Sequence, residues 1–145
     1  MCRQEPNAPE GVGGFLGDIT APTFVVVGSQ DILTPVADSE ELVEAIPDAR
    51  GRFVFVDYAH TPEGLRSVLQ ALDRITDRRL IVVFGAGGER DSGKRGPMGY
   101  AVGELADLQI VTSDNPRSED PSVIAEAVAE GVRAAGGEPR IVLDR

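Results

Sequence analysis

Five short apolar runs punctuate the chain: TFVVVG at 23–28, RFVFVDY at 52–58, LIVVFG at 80–85, LQIVTS at 108–113 and RIVLD at 140–144. They are rich in β-branched residues and nearly unbroken by polar ones, the pattern of strands covered on both faces. Between them the period changes. In TPEGLRSVLQALDRI, residues Leu65, Val68, Leu69, Leu72 and Ile75 recur at the spacing of one helix face, with Thr61 where an N-cap belongs and Pro62 at the first helical position. DPSVIAEAVAEGVRAAGG repeats the arrangement with Ile124, Ala127, Val128 and Val132, opened by Asp120-Pro121 and closed by Gly136-Gly137. Fainter patterns predict helices over 35–46 and 97–106.

Strand and helix alternating to the end predict an α/β fold of Rossmann-like type. The expectation is a single three-layer domain with a mostly parallel sheet of about five strands and helices on both faces, because each crossover between parallel strands must lie over the sheet. It would span 18–145, with 1–17 as a flexible leader. Sheets of this kind hold ligands beyond the carboxyl ends of their strands. That rule selects the loops 28–34, 57–62, 85–95 and 113–118.

Composition narrows the chemistry. The chain has 145 residues and 41% apolar content, enough for one core. It contains no apolar run of about 18 residues, and its first residues, MCRQEPNAPEGVGG, lack the basic-then-apolar order of a secretory signal, so a cytoplasmic protein without membrane partners is expected. One Cys (Cys2) and one His (His60) provide neither an internal disulfide nor a zinc cluster. A net charge of −10 opposes nucleic-acid binding. Against that acidic background the cations Arg90, Lys94, Arg95 and Arg117 stand out. Either they meet a small anionic ligand, or they are solvated charges paired with Glu89 and Asp91.

The stretch FGAGGERDSGKRG imitates two phosphate-binding motifs and completes neither. Gly88, four residues and Gly93-Lys94 follow a strand as in a P-loop, but Arg95 stands where a Ser or Thr would hold magnesium. Gly85-Ala86-Gly87 opens a dinucleotide fingerprint, yet Arg90 occupies the place of its third glycine. In the loop VDYAHTP, Asp57 can accept ribose hydroxyls, and Tyr58 can lie against a base. In TSDNPRSEDP, Asp114 and Arg117 can pair with the ammonium and carboxylate of an amino acid, the arginine through a planar fork. Taken singly, each of these loops also reads as a helix cap or a tight turn.

In this order, VDYAHTPEGL, FGAGGERDSGKRGPMG and VTSDNPRSEDP resemble the C-terminal domain of Mur ligases, over about residues 52–145. The resemblance implies an ATP- and Mg2+-dependent amide ligase of peptidoglycan-precursor synthesis. In such an enzyme a carboxylate on a UDP-muramoyl dipeptide is phosphorylated and an incoming amine displaces the phosphate. It implies nucleotide contacts from Asp57, Tyr58 and His60, and amino-acid contacts from Arg90, Asp114, Asn115 and Arg117. The DNPR form resembles the version that selects meso-diaminopimelate, whose second carboxylate Arg117 can clamp. ATP and meso-diaminopimelate are thus the implied ligands, and the remaining ligase domains the implied partners.

No G-x-x-x-x-G-K-[ST] sequence occurs, and the chain stops at Leu143-Asp144-Arg145, before the family's last Gly-Lys-Gly-His-Glu loop. A chain with no magnesium site of its own and no turnover alone is therefore expected. Residues 18–50 resemble instead a late strand-loop-helix of an α/β-hydrolase, with Asp31 in the place of the triad acid and His60 at a neighbouring strand end. No G-x-S-x-G nucleophile elbow accompanies that pair. The chain therefore reads as composite, joined near 49–53. The alternatives to the ligase reading are an α/β scaffold without activity and, more distantly, a hydrolase fragment.

Overall fold

A computed structural model of the chain describes residues 23–28, 53–74 and 79–144. The described elements run β1 (Thr23–Gly28), β2 (Phe53–Asp57), α1 (Pro62–Asp73), β3 (Arg79–Phe84), a 3-10 turn (Ser92–Lys94), α2 (Arg95–Leu105), β4 (Leu108–Thr112), α3 (Pro121–Ala134) and β5 (Arg140–Val142). The strands form one sheet in the order β2-β1-β3-β4-β5, parallel at every pairing. This is the Rossmann-like α/β architecture expected from the alternation of strand and helix. Asp31 and the helix expected over 35–46 lie outside the described residues.

The sequence accounts for how the helices sit. Thr61 caps α1 by accepting from the Gly64 N–H at 3.1 Å, and Pro62 follows at the first helical position. Leu65, Leu69 and Leu72 turn inward and are buried. They join Leu80, Val82 and Phe84 of β3 in one core that also holds Met98, Val102, Ile124, Val128 and Val132 from α2 and α3. Burying each leucine contributes about 2 kcal/mol. The exposed Arg66–Glu104 pair between α1 and α2 (2.7 Å) contributes under about 1 kcal/mol, so the apolar stripe holds α1 in place. Ile81, Val83 and Ile110, the alternate residues of β3 and β4, are buried as well.

Helix α2 follows another rule. Its contact with α3 is made by backbone: a Cβ on Gly99 would stand 2.0 Å from the Val128 carbonyl oxygen, and one on Gly131 would stand 2.0 Å from that of Gly96. Any side chain there would push the helices apart. The close crossing fixes the start of α2, where Lys94 and Arg95 leave the β3 loop.

Strand order and register position the loops. Strand β1 lies between β2 and β3, so the chain reverses its direction of travel across the sheet there, and the carboxyl ends beside that reversal form the crevice where such sheets take ligands. Gly28 pairs with Asp57, Phe84 with Val111 and Thr112 with Val142, which brings the loops out along one edge.

Candidate ligand-binding site at the strand ends

The β2 loop begins at Asp57, whose Oδ1 accepts the Ala59 N–H at 2.8 Å. That single bond leaves the other carboxylate oxygen without a partner among the described residues. Tyr58 is exposed, and its ring lies 4.8 Å from that of His60, centroid to centroid, tilted by 55°. His60 Nδ1 lies 3.1 Å from the Tyr58 carbonyl oxygen, which accepts from the tautomer protonated there. The three residues named for nucleotide contact thus form one local group ahead of α1. Asp31, the other half of the hydrolase-like pair, is among the residues not described.

The β3 and β4 loops are built as one unit. Gly88 donates its N–H to the Asn115 carbonyl at 3.1 Å, and Arg117 Nη1 donates back to the Gly88 carbonyl. The loops touch so closely that a Cβ on Gly88 would stand 1.9 Å from the Pro116 carbonyl oxygen. Asp114 is buried at the end of β4, against Gly85. Asn115 and Arg117 keep exposed side chains. Arg90 is exposed two residues beyond Gly88 and makes no hydrogen bond or ion pair with the described residues.

Backbone strain gathers at the same junction. Among the described residues, the non-glycine residues with positive φ are Glu89 (51°), Asn115 (36°) and Arg117 (54°). Left-handed backbone is unfavourable for such residues and persists only where the surroundings impose it, which is common at ligand-binding sites.

The remaining loop cations are engaged inside the fold. Lys94 Nζ donates to the His60 carbonyl at 2.9 Å and ties the β3 loop to the β2 loop. Arg95, at 5% exposure, places Nη2 at 2.9 Å from both carboxylate oxygens of Glu119 and 3.4 Å from the Gly87 carbonyl oxygen. The pairing of these cations with Glu89 and Asp91, weighed from the sequence, is replaced by other contacts. Asp91 caps the 3-10 turn through the Gly93 N–H, and Glu89 accepts from the Ser118 hydroxyl. The Glu89 N–H and, after it, the Arg95 guanidinium hold the Glu119 carboxyl below the usual glutamate range.

From the sequence, Arg95 counts among the cations that could face a ligand and is not paired with Glu119. Their separation of 24 positions hides the pair. The usable signal is an acidic residue two positions after Arg117, in a motif already singled out.

The family model described as Mur ligase, glutamate ligase domain, matches residues 23–145, a stretch that starts at β1 and contains every loop just described. The chain belongs to that family. It is 43% identical over 113 residues to the UDP-N-acetylmuramoyl-L-alanyl-D-glutamate--2,6-diaminopimelate ligase of Alkaliphilus metalliredigens, covering 71% of this chain and 23% of that protein. The ligase of the same name from Caulobacter vibrioides is 56% identical over 86 residues, covering 59% and 18%. A solved structure titled as that ligase superposes with a TM-score of 0.56 at 45% identity, over 61% of this chain and 18% of that one. The chain therefore spans less than a quarter of the length of these relatives.

Proposed function

We propose that this chain is the part of an ATP-dependent amide ligase that grips the incoming amino acid, meso-diaminopimelate, and borders the nucleotide, while the UDP-muramoyl dipeptide is held by other parts of the enzyme. The observation that carries the reading is the mutual locking of Gly88 with Asn115 and Arg117, which seats two of the family-matching motifs on one another at the carboxyl end of the sheet.

In this reading Arg117 receives the distal carboxylate of meso-diaminopimelate. One guanidinium donor is spent on Gly88, and the planar group retains others for a carboxylate. Arg90 supplies a second positive charge, Asn115 an exposed amide, and Asp114 a buried carboxyl at the base of the loop for the ammonium end of the ligand. Lysine, ending in an ammonium, would meet Arg117 as a like charge and leave its donors unpaired.

The β2 loop fits a nucleoside. The Asp57 oxygen that has no partner among the described residues suits ribose hydroxyls, and the exposed Tyr58 ring with His60 beside it suits the base. ATP, when bound, would supply the phosphoryl group that activates the acceptor carboxylate. Among the described residues no group of three His, Cys, Asp or Glu gathers as a metal site. Also among the described residues, no helix is long and apolar enough to cross a membrane.

Amide NMR spectra recorded during titration with meso-diaminopimelate test the assignment. The reading expects shifts concentrated on 85–90 and 113–118, with separate shifts on 57–60 when an ATP analogue is added. Shifts spread evenly over the helices, or none at either loop, would refute it.

A further inference from the structure

The most deeply buried cation of the two ligand loops is Arg95, and nothing in the proposed binding scheme uses it. Its guanidinium is held by Glu119 of the β4 loop and by the Gly87 carbonyl of the β3 loop. Its Nε is buried with no hydrogen-bond partner among the described residues. A buried ion pair is a weak source of stability, because desolvating both charges offsets much of their attraction; an apolar pair of similar volume often serves as well. The position of this pair explains more than its energy. The Glu119 carboxylate also accepts the N–H of Glu89, a left-handed residue directly before Arg90. Glu119 itself lies two residues after the left-handed Arg117. One carboxylate therefore joins the start of α2, the backbone that launches Arg90 and the turn that carries Arg117.

We infer that Arg95 and Glu119 are positioning residues: their ion pair sets the backbone of Glu89 against the β4 loop and so fixes the placement of Arg90 relative to Arg117, on which recognition of a ligand with two separated carboxylates depends. The ligand half of this inference rests on the ligase reading. The loop half does not.

Two arms separate those halves. In the unliganded chain, amide hydrogen exchange is compared between wild type, Glu119→Gln and the double variant R95M/E119M. The double variant removes both charges, keeps an apolar pair and is expected to stay folded. Protection of the Gly88 and Glu89 amides should fall about ten-fold or more in both variants, while Val82 and Ile110 keep theirs. Unchanged protection at Gly88 and Glu89 would overturn the inference.

In the second arm each chain is titrated with meso-diaminopimelate and with lysine. The variants should bind meso-diaminopimelate about ten-fold more weakly and lose their preference over lysine, including R95M/E119M at wild-type stability. A stable double variant that binds like wild type would overturn the positioning role, because only a structural role would then remain. Loss of protection in the variants, with no binding even by wild type, would support the loop clamp and contradict both the ligand half and the ligase reading.

Discussion

Lys94 donates from Nζ to the backbone carbonyl of His60 at 2.9 Å, joining a loop named for the nucleotide to a loop named for the amino acid. The two loops leave strands separated by β1, and this bond closes the gap. Lys94→Met keeps most of the apolar stem and removes the donor. For a half-buried charged hydrogen bond the expected loss is about 1 kcal/mol, read as a lower urea midpoint with unchanged slope. Faster exchange of the Ala59 amide should accompany it. A midpoint equal to wild type would show that the bond does not couple the loops.

The crowding at Gly88 yields a contrast within one loop-helix segment. Gly88→Ala would drive a methyl group into the Pro116 carbonyl, breaking the hydrogen bonds that Gly88 shares with Asn115 and Arg117, and is expected to destabilise the chain by about 1–3 kcal/mol. Gly96→Ala, in the first turn of α2, meets no packed atom within 4 Å apart from its own chain neighbours, but it precedes Pro97, which opposes helical backbone on a residue with a Cβ, so stability should stay within about 0.5 kcal/mol of wild type. Chemical denaturation of both variants checks the contrast, and a neutral Gly88→Ala would contradict the packing described between the loops.

Acid should act through Glu119. Its carboxyl is held low in the folded chain, first by the Glu89 N–H and then by Arg95, so folding favours the ionised form. The resulting stabilisation is complete above the ordinary glutamate pKa of about 4.3 and is lost as pH falls through the lower folded value. Asp120, held low by the hydroxyl and N–H of Ser122 at the start of α3, adds to the same acid limb. The stability difference between wild type and Glu119→Gln should be widest near neutral pH and shrink below about pH 4. A difference that persists undiminished to about pH 3 would mean that Glu119 ionisation is not what holds the loops.

Much of this is legible in the residues because local chemistry and tertiary role agree. The run 80–84 reads as a strand covered on both faces and is buried throughout in β3, and Thr61-Pro62 starts α1 where a cap and a first-turn proline should. Helix α2 is fainter, expected over 97–106 and found at Arg95–Leu105, because its partner-facing positions are glycines that admit backbone and leave no apolar stripe. RIVLD reads as a strand to 144, whereas β5 ends at Val142. The residues proposed for the site are named from their motifs, and the fold sets two of those motifs against each other through Gly88, Asn115 and Arg117. The role of Arg95 is hidden because a charged residue in a glycine-rich loop reads as solvated, and only the fold brings Glu119 to it.

The central claim is that Arg117 and its neighbours form a grip for an amino acid with a second carboxylate. Calorimetric titration of the chain with meso-diaminopimelate and with lysine, repeated on Arg117→Lys, tests it most directly. Binding of meso-diaminopimelate is expected on the order of 1 mM, since few contacts must desolvate a small, highly charged ligand. Lysine should bind more weakly, and Arg117→Lys should weaken meso-diaminopimelate binding, because an ammonium cannot reproduce the planar two-point contact. Equal affinity for both amino acids, or no heat from either at several times that concentration while circular dichroism shows the fold intact, would contradict the account.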